Sequence, residues 1–209
     1  VYGLIVLIAS AVVTGNILSL CESFGEAVRL AVFQVASIIT TTGYATANFD
    51  LWPGLSKAVL LLLMFVGGCA GSTAGGLKVS RVQLLFAAVR RELQRLLHPR
   101  SVSAIRLDGK RVDETTINGT TTYFALYAML LAATFLAICW EPFGFETNFT
   151  AAVTCLNNVG PGFAAVGPAG SFAAYSGFSK LILLLAMLFG RLEIYPLLFM
   201  LTPSTWTRK

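Results

Sequence analysis

Four long apolar runs constrain this chain more than any other feature. Val1–Leu20 and Gly119–Trp140 carry no charge, and Ala58–Leu77 carries none but is glycine-rich in its second half. Leu181–Leu201 is apolar except for Arg191 and Glu193. At 1.5 Å per residue, each run covers a hydrocarbon core of about 30 Å. The rest of the chain cannot supply a water-facing shell around them. Only 12% of residues are charged and 56% are hydrophobic, whereas soluble domains carry about 25% charged residues. The expected fold is an all-α membrane protein with four transmembrane helices. The first run opens directly at Val1 and reads as a span with its natural beginning cut off.

Charges between the runs set the expected orientation. Nine basic residues lie between Lys78 and Arg111, opposed only by Glu92 and Asp108. The other two connections are nearly balanced or acidic: Glu22, Glu26 and Asp50 against Arg29 and Lys57, and Glu141 and Glu146 against Lys180. The positive-inside rule makes the basic connection cytoplasmic. Arg208 and Lys209 then fall on the same side. The net charge of +5 thus reflects topology rather than nucleic-acid binding. Within the basic connection, Val82–Leu97 reads as an amphipathic stretch with Arg90, Arg91 and Arg95 on one polar side, suited to anionic lipid or a cytosolic partner.

Both outer connections are too apolar to be solvated loops. Glu22–Ile39 reads as a short helix leading into Thr40-Thr41-Thr42-Gly43-Tyr44. Thr147–Leu156 reads as another, leading into Asn157-Asn158-Val159-Gly160-Pro161. An apolar half-helix that meets a Thr/Asn/Gly stretch and returns is the pattern of a re-entrant loop, whose backbone needs protein or a water-filled cavity to satisfy it.

The pattern occurs twice. Ser56-Lys57 and the run after it reappear as Ser179-Lys180, an offset of 123 residues, while Gly43 and Gly160 are 117 apart. Phe33 and Phe149 are paired in the same reading. Residues 1–111 form one unit: span 1–20, pore loop 22–50, glycine-broken span 58–81 and basic segment 82–111. Residues 112–209 form the other: span 119–140, pore loop 146–170, span 178–202 and tail. Two parallel copies imply rotation about an axis along the membrane normal, with the loops meeting on it.

Such loops suit a dehydrated monovalent cation. Inward carbonyls replace its water, glycine permits the backbone geometry, and helix C-termini add partial negative charge. Neither filter stretch holds a carboxylate, which argues against a divalent-cation pore. The stretch Gly67, Gly68, Gly71, Ser72, Thr73, Gly75, Gly76 and Lys78 should break its helix, since each glycine costs about 1 kcal/mol relative to alanine. It reads as a movable intramembrane loop. It lacks phosphate-loop spacing, because Leu77 separates Gly76 from Lys78, and Gly160-x-Gly162-x-x-Ala165 contains Pro161 and follows no strand. Arg191, midway along the last run, needs water or a partner and is expected to project toward the pore and contact the 67–76 loop as a positive barrier. Cys21, Cys69, Cys139 and Cys155 read as small apolar residues, and His98 has no metal-site pattern. No nucleophile–base set points to an enzyme.

Thr-Thr-Thr-Gly-Tyr at 40–44, Gly-Gly-Cys-Ala-Gly-Ser-Thr-Ala-Gly-Gly-Leu-Lys at 67–78, Leu-Asn-Asn-Val-Gly-Pro-Gly at 156–162 and Met-Leu-Phe-Gly-Arg-Leu-Glu-Ile at 187–194 together resemble the Trk-type potassium uptake proteins, the TrkH/TrkG branch of the Trk/Ktr/HKT superfamily. The resemblance covers essentially the whole chain. It implies four span–loop–span repeats around one pore, of which this chain matches the third and fourth. It further implies filter roles for Thr41, Thr42 and Gly43 and for Asn158, Val159 and Gly160, a gating loop at 67–76, and a pore-facing Arg191. Potassium is the implied transported ion, with no cofactor in this chain. The implied setting is the bacterial inner membrane, with lipid contacts, a homodimer, the missing N-terminal half of the pore, and a cytosolic nucleotide-binding regulatory ring of the TrkA type. Two alternatives stand beside this reading: a two-repeat subunit that completes its pore by dimerisation, and a non-conducting membrane anchor for a cytosolic complex.

Overall fold

Uncharged residues without a proline or a glycine cluster form α1 (Tyr2–Ile17) in the computed structural model, which describes residues 1–98, 105–107 and 109–192. A 3-10 turn extends α1 through Leu20. Ser23 starts α2 (Phe24–Ile39): its hydroxyl accepts from the Glu26 N–H at 3.2 Å, and the Glu26 carboxylate accepts from the Glu22 N–H at 3.1 Å. These two bonds satisfy amides that a helix start leaves unpaired. Pro53 precedes α3 (Gly54–Val66), which ends at Gly67 in the left-handed region. After the glycine-rich segment the chain resumes as α4 (Val79–Leu97).

The second half begins with α5 (Glu114–Ile138), capped by the Asp113 carboxylate. It continues through α6 (Phe145–Leu156) and α7 (Gly177–Arg191), whose start is capped by the Ser176 hydroxyl. In the first half α1 packs on α2 and α3, and in the second α5 packs on α6 and α7. Each half carries a brace onto the start of its last helix, from Asn16 in α1 and from Glu141 just past the end of α5. The Asn16 Oδ1 accepts from the Ser56 N–H (3.2 Å) and hydroxyl (2.7 Å). The Glu141 Oε1 accepts from the Ser179 hydroxyl (2.6 Å) and the Ser176 N–H (3.1 Å). Ser56 and Ser179 are both fully buried.

One apolar core joins the halves. Val13, Ile17, Val35, Ile38, Phe49, Leu60 and Met64 of the first half pack with Val153, Val159 and Phe163 of the second. Phe49 meets the Phe163 ring edge-on, with centroids 5.6 Å apart.

The described residues bear on several sequence expectations. Among the described residues the regular structure is helical apart from a short antiparallel pairing of β1 (Arg106–Leu107) with β2 (Lys110–Arg111), turned at Gly109 in the left-handed region. The run at 58–81 breaks at its glycines as expected: Gly67 stops α3 after 13 residues. Among the described residues, two helices, α1 with its 3-10 turn and α5, are long and apolar enough to cross a bilayer. The expected span 178–202 is described only to Leu192, so Glu193 and the tail with Arg208 and Lys209 lie outside the described residues. Finally, Arg91 does not share a polar face with Arg90. A helix turns about 100° per residue, which carries Arg91 inward to pair with Glu114 while Arg90 stays exposed.

Candidate functional site

The two short helices α2 and α6 end in segments with the same hydrogen-bond pattern. Thr40, Thr41 and Thr42 donate their N–H groups to the carbonyls of Ala36, Ile38 and Ser37. Asn157, Asn158 and Val159 donate theirs to Val153, Cys155 and Thr154. A hydroxyl fastens each segment from behind: Ser37 donates to the Tyr44 carbonyl at 2.6 Å, and Thr154 donates to the Pro161 carbonyl at 3.1 Å. Every equivalence has an offset of 117. Phe33 therefore corresponds to Thr150, and its pairing with Phe149 is one residue out of register, because a shared residue type was matched rather than the helix end.

Both segments alternate in backbone handedness. Thr41 and Gly43 have φ of 55° and 78°, and Asn158 and Gly160 have φ of 55° and 113°. A left-handed conformation is costly for a residue with a Cβ. At Thr41 and Asn158 the bonds to the last turn of the preceding helix hold it. The glycines in these motifs signalled such geometry in the sequence; the threonine and asparagine positions did not.

The segments lie against each other. A Cβ on Gly43 would stand 2.0 Å from the Val159 carbonyl oxygen, so the approach is closed to any side chain. Above them, the Asp50 carboxylate accepts from the Lys57 ammonium and from the Ala164 N–H, each at 3.0 Å. Lys57 also lies 3.6 Å from Glu146. Partial burial alone would push the Asp50 carboxyl up, but the Ala164 N–H and the Lys57 charge outweigh it and leave it below its ordinary 3.8. A depressed carboxylate pKa stabilises the fold above the ordinary value and loses that contribution as pH falls through the lowered one.

The glycine-rich stretch folds into a closed loop directly beneath. Leu77 N–H to Phe65 carbonyl (2.9 Å) and Val79 N–H to Gly68 carbonyl (3.0 Å) tie its neck. Gly67, Gly71, Gly76 and Lys78 all adopt positive φ. Gly75 touches both segments: its N–H donates to the Thr41 hydroxyl at 3.2 Å, and a Cβ there would stand 2.1 Å from the Asn157 carbonyl oxygen. Ser72 and Thr73 lie farther out on the loop, which is exposed from Cys69 to Gly71.

Asn157 is fully buried and held on two sides. Its Oδ1 accepts from the Tyr127 hydroxyl at 2.9 Å, and its Nδ2 donates to the Val153 carbonyl at 2.9 Å. Sequence reading singled out neither Tyr127 nor this network, because Tyr127 sits inside a long apolar run. Tyr127→Phe leaves a buried acceptor unpaired and is expected to cost about 1–3 kcal/mol of stability. Thermal unfolding in detergent measures this, and an unchanged midpoint would show that Asn157 finds another donor.

Arg191 ends α7 and is exposed. It lines an open groove of about 530 Å³ together with Asn158, Gly160 and the α7 residues Leu184, Met187 and Leu188. Among the described residues, no hydrogen bond or ion pair joins Arg191 to the 67–76 loop. The loop leans on Thr41 and Asn157, while Arg191 lines the groove with Asn158. Gly190 packs beneath the second segment, where a Cβ would stand 1.8 Å from the Leu156 carbonyl oxygen.

Comparison with known proteins matches residues 5–206 to the family model described as TrkH, cation transport protein. The Trk system potassium uptake protein TrkH of Salmonella typhimurium is 42% identical over 176 residues, which are 84% of this chain and 36% of that protein. Its Escherichia coli K12 counterpart is 41% identical over 86% of this chain and 37% of that protein. The Trk system potassium uptake protein TrkG of the same organism is 34% identical over 83% of this chain and 36% of that protein. The crystal structure of the potassium transporter TrkH from Vibrio parahaemolyticus superposes with a TM-score of 0.89 at 36% identity, covering 99% of this chain and 44% of that one. The chain thus spans little more than a third of the length of these curated relatives.

Proposed function

Because the chain belongs to the TrkH family of cation transport proteins, we propose that it is the C-terminal half of a potassium uptake protein of the bacterial inner membrane and supplies two of four filter segments around one pore. The relatives named for potassium uptake support the ion. One observation carries the architecture: the paired segments at 40–44 and 157–161 share their hydrogen bonds and meet edge to edge, yet each half keeps one uncovered face. Met64 of α3 is fully buried against the second half, whereas its counterpart Met187 of α7 is 44% exposed. Conversely, Asn157 and Val159 are buried by the first half, whereas their counterparts Thr40 and Thr42 are exposed. A ring of such units around an axis would cover both faces.

In this reading Thr41, Thr42, Gly43, Asn158, Val159 and Gly160 form the potassium filter. Alternating handedness turns successive carbonyls to one side, which suits replacement of an ion's hydration shell. The C-termini of α2 and α6 add partial negative charge below it. The loop 67–76 is the gate and closes the inner end through Gly75. Arg191 adds a positive barrier in the water-filled cavity. The domain division is 1–111 and 112–209, with α4 at the cytoplasmic surface. Lipid surrounds the spans, and a homodimer and a cytosolic nucleotide-binding ring of the TrkA type complete the assembly.

Potassium flux into liposomes holding the full-length protein tests the reading, and absence of selective flux would sink it. Arg191→Ala is expected to raise flux about tenfold, the factor for roughly 1.4 kcal/mol of barrier. Unchanged permeation and gating would remove Arg191 from the pathway. The two uncovered faces equally favour a second reading, in which two copies of a two-repeat subunit complete the ring. The mass of the native polypeptide separates the two.

A further inference from the structure

The outer turn of the first half reaches across the boundary between the halves at a single carboxylate. Asp50 follows the fully buried Phe49 in a 3-10 turn. Its Oδ1 accepts from the Lys57 ammonium of its own half and from the Ala164 N–H of the other, 114 residues away in sequence, each at 3.0 Å. Ala164 lies four residues past Gly160 and has φ of 54°, a left-handed conformation that a residue with a Cβ rarely adopts. A conformation of this kind persists only where its surroundings over-determine it. Here the surroundings are the Asp50 carboxylate on the Ala164 amide, the Phe49 ring on Phe163, and the Thr150 hydroxyl accepting from the Phe163 N–H at 3.0 Å. The Gly162 N–H then donates to the Val166 carbonyl at 2.7 Å and closes the turn back toward Pro161.

The internal repeat supplies a comparison. At the offset that relates Lys57 to Lys180, the counterpart of Asp50 is Ala173. Lys180 donates there to the Ala173 carbonyl at 2.7 Å. A lysine at this site therefore finds a backbone acceptor without a carboxylate. Satisfying Lys57 does not account for Asp50; the bond across the boundary to Ala164 does.

We infer that Asp50 is a filter-positioning residue, which fixes the outer exit of the Asn158-Val159-Gly160 segment from the neighbouring repeat and so sets how tightly that half of the filter fits its ion. Asp50 acts through the Ala164 backbone and does not touch the ion. Lys57 holds the carboxylate in place, and its second neighbour, Glu146 at 3.6 Å, keeps it centred at the boundary. The inference rests on the filter reading of these segments.

The test uses the full-length protein in liposomes, with potassium and sodium flux measured separately. Asp50→Ala is expected to lower the potassium-over-sodium ratio about tenfold, the factor that a lost charge-assisted hydrogen bond carries. Asp50→Asn keeps an acceptor for the Ala164 N–H and is expected to retain most of the ratio. Should Asp50→Ala fail to fold, Asp50→Glu takes its place: it keeps the charge, displaces the acceptor by one methylene, and is expected to lower the ratio measurably. An unchanged ratio in the folded variant, with only thermal stability reduced, overturns the positioning role. A wild-type protein that conducts no potassium overturns the filter reading instead, so the two failures are distinct.

Discussion

Gly43→Ala is expected to abolish selective potassium flux through the full-length protein. Two penalties coincide at this position. The backbone holds φ of 78°, where a Cβ costs about 1–2 kcal/mol. The added carbon would also stand 2.0 Å from the Val159 carbonyl oxygen and 3.2 Å from the Pro161 Cδ. Neither neighbour can yield locally. The Val159 backbone is pinned by its own N–H bond to Thr154, and Pro161 by the Thr154 hydroxyl. The two segments must separate, and a displacement of about 1 Å at a preorganised site costs on the order of a hundredfold in rate. Gly15→Ala is the control, since a Cβ there meets nothing within 4 Å. Wild-type flux in Gly43→Ala would show that the segments do not line the pathway.

Gly75→Ala is expected to act in the opposite direction, raising flux several-fold. Gly75 has an ordinary φ, so alanine carries no backbone strain there. The obstacle is the Asn157 carbonyl oxygen, 2.1 Å from the new carbon. Asn157 is locked by Tyr127 and Val153, whereas the loop is exposed at its tip and hinged at three left-handed glycines, 67, 71 and 76. The weaker side moves, so the loop should leave the inner end and its bond to the Thr41 hydroxyl should break. Potassium flux assays on the full-length protein in liposomes measure the change. Reduced flux would mean that the loop supports the filter rather than closing it.

Much of this organisation is legible in the chain because it rests on local physics. Long apolar runs specify α1 and α5, since their isolated glycines, Gly3, Gly15 and Gly119, are too few to break a helix and neither contains a proline. Gly67 and its neighbours specify the end of α3, because glycine lowers helix stability and permits φ of 69°. The double occurrence of Ser-Lys before an apolar run located the two halves, and the Thr/Asn/Gly stretches located the paired segments. The register of the two short helices was less legible. Matching Phe33 to Phe149 compared residue types, whereas the equivalence follows the helix ends at Thr40 and Asn157.

Contacts between distant residues had no sequence signal. Asp50 reads as an outer-loop charge, and only the fold brings it to Ala164. Tyr127 reads as one more apolar position until its hydroxyl meets Asn157. Arg91 reads as polar helix surface until α5 presents Glu114. The sequence by itself determined which runs are helical, that a helix breaks at Gly67, and that the Ser-Lys motif and its apolar run occur twice, because these follow from backbone sterics and apolar patterning within a few turns. Only the tertiary structure decided that the two segments meet at Gly43 and Val159, that the loop leans on Thr41 and Asn157 rather than on Arg191, and that a carboxylate of one half holds the other. Those outcomes depend on how rigid helices pack in three dimensions, where a shift of about 1 Å determines whether a hydrogen bond forms.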